Sequence, residues 1–540
     1  MDVPLLVSRI LQHGTTVHAS SQVVTWTGDG ARRATYAEVG RRAARLAHAL
    51  RGIGVTGDQR VATFQWNNQE HLEAYLAVPS MGAVLHTLNI RLSADQLRYV
   101  ANHAEDHVVV VDASLAAPLV ALLPGMKTVR HVVVSGSVPP ETRDALAVPG
   151  VDVHDYESLL ADQPDTYAWP VLDEREAAAM CYTSGTTGDP RGVAYSHRST
   201  YLHTLQLTTG DFLRISQGDR ILAVVPMFHA SAWGLPYAAV MAGADLVLPD
   251  RFLQAPQLAR VIESERVTAA AAVPTLWTDL LAHLEESRAD VSSLREVVVG
   301  GSACPPALIE AYEQRHGVRV IHAWGMTETS PLGTVALPPA GLPAGDAMRY
   351  RVTQGRLASS VEARLAGPDG ALLPWDGESA GEVEVRGPWV TGSYYGDVDP
   401  GRFTEDGWLR TGDVGTLTED GYLTLTDRAK DVIKSGGEWI SSVALENHLM
   451  AHPDVREATV VGVPDERWGE RPLAAVVLAP EAPVDPCGLR SHLAERVARW
   501  QLPERWAFVA EVPKTSVGKF DKKLVRQWYA EGALDVRTLG

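Results

Sequence analysis

The chain has 540 residues, more than one ordinary hydrophobic core holds, so at least two domains are expected. Apolar residues make up 45% and charged residues 21%, as in globular proteins, and no run of about 18 apolar residues offers a membrane span. With 48 basic and 66 acidic residues the net charge is −18, which leaves no phosphate-neutralising excess and argues against a nucleic-acid partner.

Thr35 and Glu38 form a capping box, and Val39, Ala43, Leu46, Ala47 and Leu50 recur at helical spacing until Gly52 and Gly54 end the helix. Val61 to Trp66 follows as a strand. The runs His107 to Asp112, His131 to Ser135, Ile221 to Val225, Ala269 to Val273 and Glu296 to Val299 are short, rich in Val or Ala and bounded by polar residues or turns. Helical patterns lie between several of them, for example Pro256 to Glu265 and Pro305 to His316. Strands alternating with helices predict α/β layers with largely buried sheets. Past residue 355, Val361 to Ala366, Gly381 to Gly387 and Gly421 to Thr426 read as short strands joined by Gly and Asp turns, a β-rich subdomain. A second unit begins after Asp427-Arg428-Ala429-Lys430. It holds a helix over Val443 to Met450, strands over Ala458 to Val463 and Leu473 to Leu478, and a helix face marked by Leu489, Leu493 and Val497. The boundary near 428–431 is charged rather than Gly/Ser-rich, so the linker is short.

The three cysteines, Cys181, Cys304 and Cys487, are far apart and show no metal spacing, which suits a reducing compartment. The start, Met1 to Leu5, lacks a basic region followed by an apolar one, so a cytoplasmic protein is expected.

The most informative stretch is Tyr182-Thr183-Ser184-Gly185-Thr186-Thr187-Gly188-Asp189-Pro190-Arg191-Gly192-Val193, following the apolar run Ala177 to Cys181. Glycines let backbone N–H groups approach an anion closely, and the hydroxyls add donors. It is not a Walker loop, but it reads as a polyphosphate grip. Five further motifs follow in order: Pro226-Met227-Phe228-His229 with Trp233-Gly234; Gly300-Gly301-Ser302-Ala303; Ala323-Trp324-Gly325-Met326-Thr327-Glu328-Thr329; Arg410-Thr411-Gly412-Asp413; and Pro513-Lys514-Thr515-Ser516-Val517-Gly518-Lys519. Together with the phosphate loop they resemble the adenylate-forming superfamily of acyl-CoA synthetases, firefly luciferase and peptide-synthetase adenylation domains. Within it the resemblance is to medium- and long-chain fatty acyl-CoA ligases, and it covers roughly residues 25 to 530.

The resemblance implies an α/β fold: a large N-terminal region of two α/β subdomains plus a β-rich subdomain (1–429), and a small mobile α+β C-terminal domain (430–540). It implies two steps. A carboxylate attacks the α-phosphorus of ATP to give acyl-AMP and pyrophosphate; the CoA thiol then displaces AMP. Thr183, Ser184, Gly185, Thr186, Thr187, Gly188 and Arg191 would hold phosphates. Glu328, with Thr187, would bind Mg²⁺, and Thr327 would donate to the α-phosphate. Trp324, within the run His322-Ala323-Trp324-Gly325, would stack on adenine against Gly301 and Ser302. His322 would either meet the adenine amino group or be a core histidine. Asp413 and Arg428 would hold the ribose. Lys519 would bridge the substrate carboxylate and the α-phosphate, stabilising charge gathered in the transition state. Lys522 and Lys523 read as exposed tail lysines. Lys430 would be the hinge, and Lys434, Ser435, Gly436 and Gly437 would line the CoA channel after rotation. His229, Trp233, Gly325 and Met326 would line the acid pocket. His229 need not be a base, since a carboxylic acid is ionised at neutral pH.

The sequence departs from the family pattern in three places: Arg191 replaces a usual lysine, Ala230-Ser231 replaces Val-Asn, and Ser302 replaces alanine. These surround the acid pocket and leave an aromatic or polar acid as the alternative substrate. A carrier protein, an amine or another small nucleophile is the alternative acceptor, and a homodimer is left open. A catalytically silent binding protein on this scaffold is opposed by the intact Glu328, Asp413, Arg428 and Lys519.

Overall fold

Runs of Val and Ala bury both faces of a strand, and here they form parallel sheets covered by helices. The computed structural model describes residues 2–183, 189–367, 369–428, 431–435, 438–480, 482–515 and 518–539. Ser184, Gly185, Thr186, Thr187, Gly188, Lys430, Gly436 and Gly437, all candidate site residues, lie outside the described residues. One sheet has seven strands, ordered Asp152–Asp155, His131–Ser135, Asp106–Asp112, Arg60–Phe64, Val84–Thr87, Ala177–Tyr182 and Gly192–Ser196. Its pairs are parallel except the last, which is antiparallel. The phosphate loop therefore joins two strands of a hairpin. Its base is closed by the Thr183 amide, which donates to the Arg191 carbonyl at 2.9 Å.

The second sheet has fourteen strands. Its parallel part contains Asp245–Leu248, Arg220–Ala223, Ala269–Ala272, Glu296–Val299 and Arg319–Gly325 in that spatial order. The antiparallel strands of the expected β-rich subdomain continue the same sheet, because Leu332–Val335 pairs directly with Arg319–Gly325 across a register shift at Trp324/Gly325. At this bulge a Cβ on Gly325 would lie 1.9 Å from the Pro331 carbonyl oxygen, so only glycine fits. A continuous core joins the inner faces of both sheets through the helices Val7–Val17, Tyr36–Gly52, Gln69–Ser80 and Leu235–Ala242. The capping box holds as read: Thr35 accepts from the Glu38 amide, and the Glu38 carboxylate accepts from the Thr35 amide at 2.7 Å.

A third sheet, of six strands, gathers only segments after residue 431, including the long hairpin Val455–Asp465 with Gly469–Leu478. The helices Ser442–Met450, Pro486–Ala494 and Lys522–Ala530 accompany it. The large N-terminal and smaller C-terminal parts are as expected, but Lys522 is not an exposed tail lysine. Its ammonium is buried 2.9 Å from the Glu446 carboxylate, because the helix it begins packs against the hairpin. Among the described residues no helix is long and apolar enough to cross a membrane.

The buried His203, on helix His197–Thr208, gives a pH prediction. Burial pushes its imidazole down to about 3 from 6.5, and Nε2 has no partner among the described residues. The folded state holds the neutral form, while the unfolded chain takes up a proton below pH 6.5. Its contribution is complete above that pH and is lost as pH falls, by about 2 kcal/mol at pH 5. Replacing His203 with Gln is expected to flatten denaturant-measured stability between pH 7 and 5 by about that amount. An unchanged slope would contradict this.

Candidate active site

The carboxyl ends of parallel strands are where ligands meet an open α/β sheet. Here the ends of Arg220–Ala223, Ala269–Ala272, Glu296–Val299 and Arg319–Gly325 open into one cavity of about 780 Å³. Val224, Val225 and Pro226 line it from the first strand, Ala272 and Val273 from the second, Gly300 and Gly301 from the third, and Trp324 and Gly325 from the fourth. The all-alanine strand Ala269–Ala272 is part of the reason there is room.

One end is polar. The Trp324 indole Nε1 donates to Asp413 Oδ2 at 2.8 Å, and Arg428 Nε lies 3.3 Å from Asp413 Oδ1. The edge of the indole packs over Gly333, where a Cβ would meet the ring at 2.4 Å. Ring, carboxylate and guanidinium are thus fixed to one another before any ligand arrives. Ser302 and Ala323 also line this end. His322 is buried, with Nδ1 against the Thr353 carbonyl at 2.8 Å, and its ring also meets the Ser302 backbone. Burial pushes it down to about 4, so it is neutral. His322 also lines the cavity, so these contacts fit both a core histidine and a contact to the adenine amino group.

Glu328 also lines the cavity, and its Oε1 accepts from the Tyr394 hydroxyl at 2.6 Å. The neighbouring Thr327 is fixed through its carbonyl, which accepts from Tyr195 at 2.7 Å. Arg191 lies with its guanidinium 5.3 Å from the Tyr394 ring centroid and pairs with Asp399 at 2.7 Å. A planar guanidinium can stack and pair at once, which an ammonium does less well; this accounts physically for arginine where lysine is usual. Tyr394, which ties Glu328 to Arg191, was missed in the sequence because it sits in an unremarkable loop, Ser393-Tyr394-Tyr395-Gly396. Arg91 was missed too. It lines the cavity, with its guanidinium 5.8 Å from the Phe228 ring centroid.

Lys519 reaches the cavity from the C-terminal part. Its Cε lies 3.4 Å from where a Gly301 Cβ would stand, and Gly301 is held at φ +86°. His229 lines the cavity nearby. Burial, then the charges of Lys519 and Arg91, push its imidazole down to about 3, so it is a neutral wall. After His229 the chain makes a left-handed turn, with φ of 38°, 44°, 52° and 55° at Ala230, Ser231, Ala232 and Trp233. Four consecutive non-glycine residues there are costly and persist only where packing fixes them. The turn presses the Trp233 ring edge toward Gly300, 3.0 Å from where a Cβ would stand. Beyond it the cavity is walled by Leu207, Leu213, Val224, Leu235, Ala271 and Val298. Met326 also lines the cavity, but Lys434 and Ser435 do not. The Ser435 hydroxyl instead accepts from Arg471 at 3.0 Å.

Among the described residues no group of three or more His, Cys, Asp or Glu side chains converges as a metal cage. Mg²⁺ held by one carboxylate plus phosphate oxygens and water needs none, and the buried Glu328 carboxylate is a hard donor of the right kind. The fit is therefore chemical.

One cavity thus brings together the bonded cluster Trp324–Asp413–Arg428, the Lys519 ammonium and a group of apolar side chains, the lining of an enzyme with a large, chemically mixed substrate site. The chain belongs to the AMP-binding enzyme family: residues 11–395 match that model and residues 444–519 match the AMP-binding enzyme C-terminal domain. It is 42% identical to a 3-methylmercaptopropionyl-CoA ligase of Ruegeria lacuscaerulensis over 98% of both chains. It is 44% identical to a long-chain-fatty-acid–CoA ligase of Thermus thermophilus over 98% of this chain and 96% of that one. Among solved structures, an anthranilate CoA ligase in complex with anthranoyl-AMP matches with a TM-score of 0.88 and 25% identity, covering 99% of each chain.

Proposed function

We propose that this protein is an AMP-forming acid:CoA ligase for acids with an apolar chain, using ATP, Mg²⁺ and CoA. The observation that supports the acid class is the set of apolar side chains, Leu207, Leu213, Val224, Leu235 and Val298, that line the cavity together with Trp233. Of the two residues whose identity raised the alternative of a polar or aromatic acid, Ala230 lines the cavity with only a methyl group and Ser231 is buried within the left-handed turn. Relatives at 42% and 44% identity are named for acids of very different size, so identity alone does not choose among them.

In this reading Trp324 stacks on adenine, Asp413 and Arg428 hold the ribose, and the 183–191 hairpin loop grips the β- and γ-phosphates. Mg²⁺, bound by Glu328, would neutralise phosphate charge. Lys519 lies between the phosphate and acid ends, where it draws the substrate carboxylate onto the α-phosphorus. The ammonium gains most as charge builds on the attacked phosphoryl group. The boundary at 429/430 then acts as the hinge, rotation withdraws Lys519, and the Lys434–Ser435 side comes in for the thiol step. The experiment is pyrophosphate release and thioester formation over short, medium, long-chain and aromatic acids, with Trp233→Ala beside the wild type. Straight-chain acids are expected to lead, and Trp233→Ala to shift the length preference with little change in KM for ATP. Aromatic acids leading, or an unchanged length profile, would overturn the acid assignment.

A further inference from the structure

Lys522 is the first residue of the helix Lys522–Ala530, three residues beyond Lys519. Its ammonium donates to the Ser442 hydroxyl and lies 2.9 Å from Glu446. Ser442 in turn donates twice to Asp427 Oδ2, through its hydroxyl and, at 2.7 Å, through its amide. The neighbouring Ser441 hydroxyl donates to the Thr426 carbonyl. One turn further along the lysine's own helix, Arg526 pairs with Asp431 at 2.8 Å. Thr426 and Asp427 belong to strand Tyr422–Arg428 of the long sheet, whereas Ser441, Ser442, Glu446 and Lys522 belong to the C-terminal part.

We propose that the relay Lys522–Ser442–Asp427 is the latch that fixes the C-terminal part with Lys519 in the cavity, so that Lys522 and Ser442 are positioning residues for adenylation and Asp427 is their receptor. The inference rests on the two-step reading above. The sorting of charges supports a latch over a permanent weld. Glu446 is held on the C-terminal side, accepting from Thr459 at 3.0 Å and from the Val460 amide at 2.8 Å. It therefore travels with Lys522, and the ammonium keeps a counter-charge in either orientation. Rotation must break the bonds to Thr426 and Asp427 and, further off, the ion pair of Arg456 with Asp279 at 3.7 Å. Asp427 is adjacent to Arg428, which holds Asp413, so the latch seats directly behind the ribose end.

The test separates the half-reactions in the full-length enzyme. Asp427→Ala is expected to slow the pyrophosphate burst about 10- to 100-fold, since small misplacements of a catalytic group act on that scale. It should leave thioester formation from supplied acyl-AMP and CoA within about twofold. Lys522→Arg, which keeps the donor and the charge, should retain most of the burst where Lys522→Met loses it, with thermal melting followed in each variant. An unchanged burst in Asp427→Ala, or equal loss in both half-reactions with an unchanged melting temperature, would overturn the latch. A wild-type enzyme that forms no acyl-AMP from any acid would sink the functional reading instead.

Discussion

Replacing Lys519 with alanine is expected to abolish most acyl-AMP formation while sparing the thioester step. In this structure the lysine lies beside Gly301 and close enough to His229 to help depress its titration, so its charge reaches into the cavity next to both. Losing a fixed charge aimed at a transition state costs about 3 kcal/mol, roughly 100-fold in rate. The same substitution should change thioester formation from supplied acyl-AMP little, because the proposed rotation withdraws the lysine before that step. Measuring both half-reactions on one preparation decides the matter. Equal losses would mean that the lysine serves structure, and the two-orientation account would fail with it.

The second large effect is expected at Glu328, where the choice of substitution matters. Glu328→Ala would also strip Tyr394 of its acceptor and so disturb Arg191, which lies over the Tyr394 ring. Glu328→Gln keeps an oxygen for the Tyr394 hydroxyl and removes only the charge. Adenylation should still fall by about 3 kcal/mol if the carboxylate serves Mg²⁺. The loss should ease as Mg²⁺ is raised. A Gln variant with near-normal pyrophosphate release at low Mg²⁺ would remove Glu328 from the metal assignment.

Much of this was legible in the chain. The Val- and Ala-rich runs fell where parallel strands stand, because strands buried on both faces leave a continuous apolar signature. The glycine and hydroxyl motifs lay at strand ends, and the structure gathers their described parts around one cavity. The helix Gln69–Ser80 was not legible, since every residue in it is buried, Glu70, His71 and Glu73 included, and no polar face marks its period. Glu73 is tolerated there because Arg42 reaches it at 2.6 Å, a partner remote in sequence. Lys522 was misread for the same reason: a lysine in a basic tail looks solvated until Glu446 and Ser442 are brought beside it. The left-handed turn at Ala230 to Trp233 carries no glycine before Gly234, so no local rule announces it.

The bulge at Trp324/Gly325, where parallel and antiparallel strands meet, bears on how such enzymes diverge. The proposed nucleotide end draws on both sides of that seam: Trp324 comes from the last parallel strand and Asp413 from the antiparallel half, clasped by a single 2.8 Å bond. Neither half, inherited alone, could rebuild it. Much of the proposed acid end, by contrast, comes from the stretch between Leu207 and Leu235, so changes there would redraw the substrate without loosening the clasp. Geometry thus divides the molecule into a part that must be inherited whole and a part free to drift.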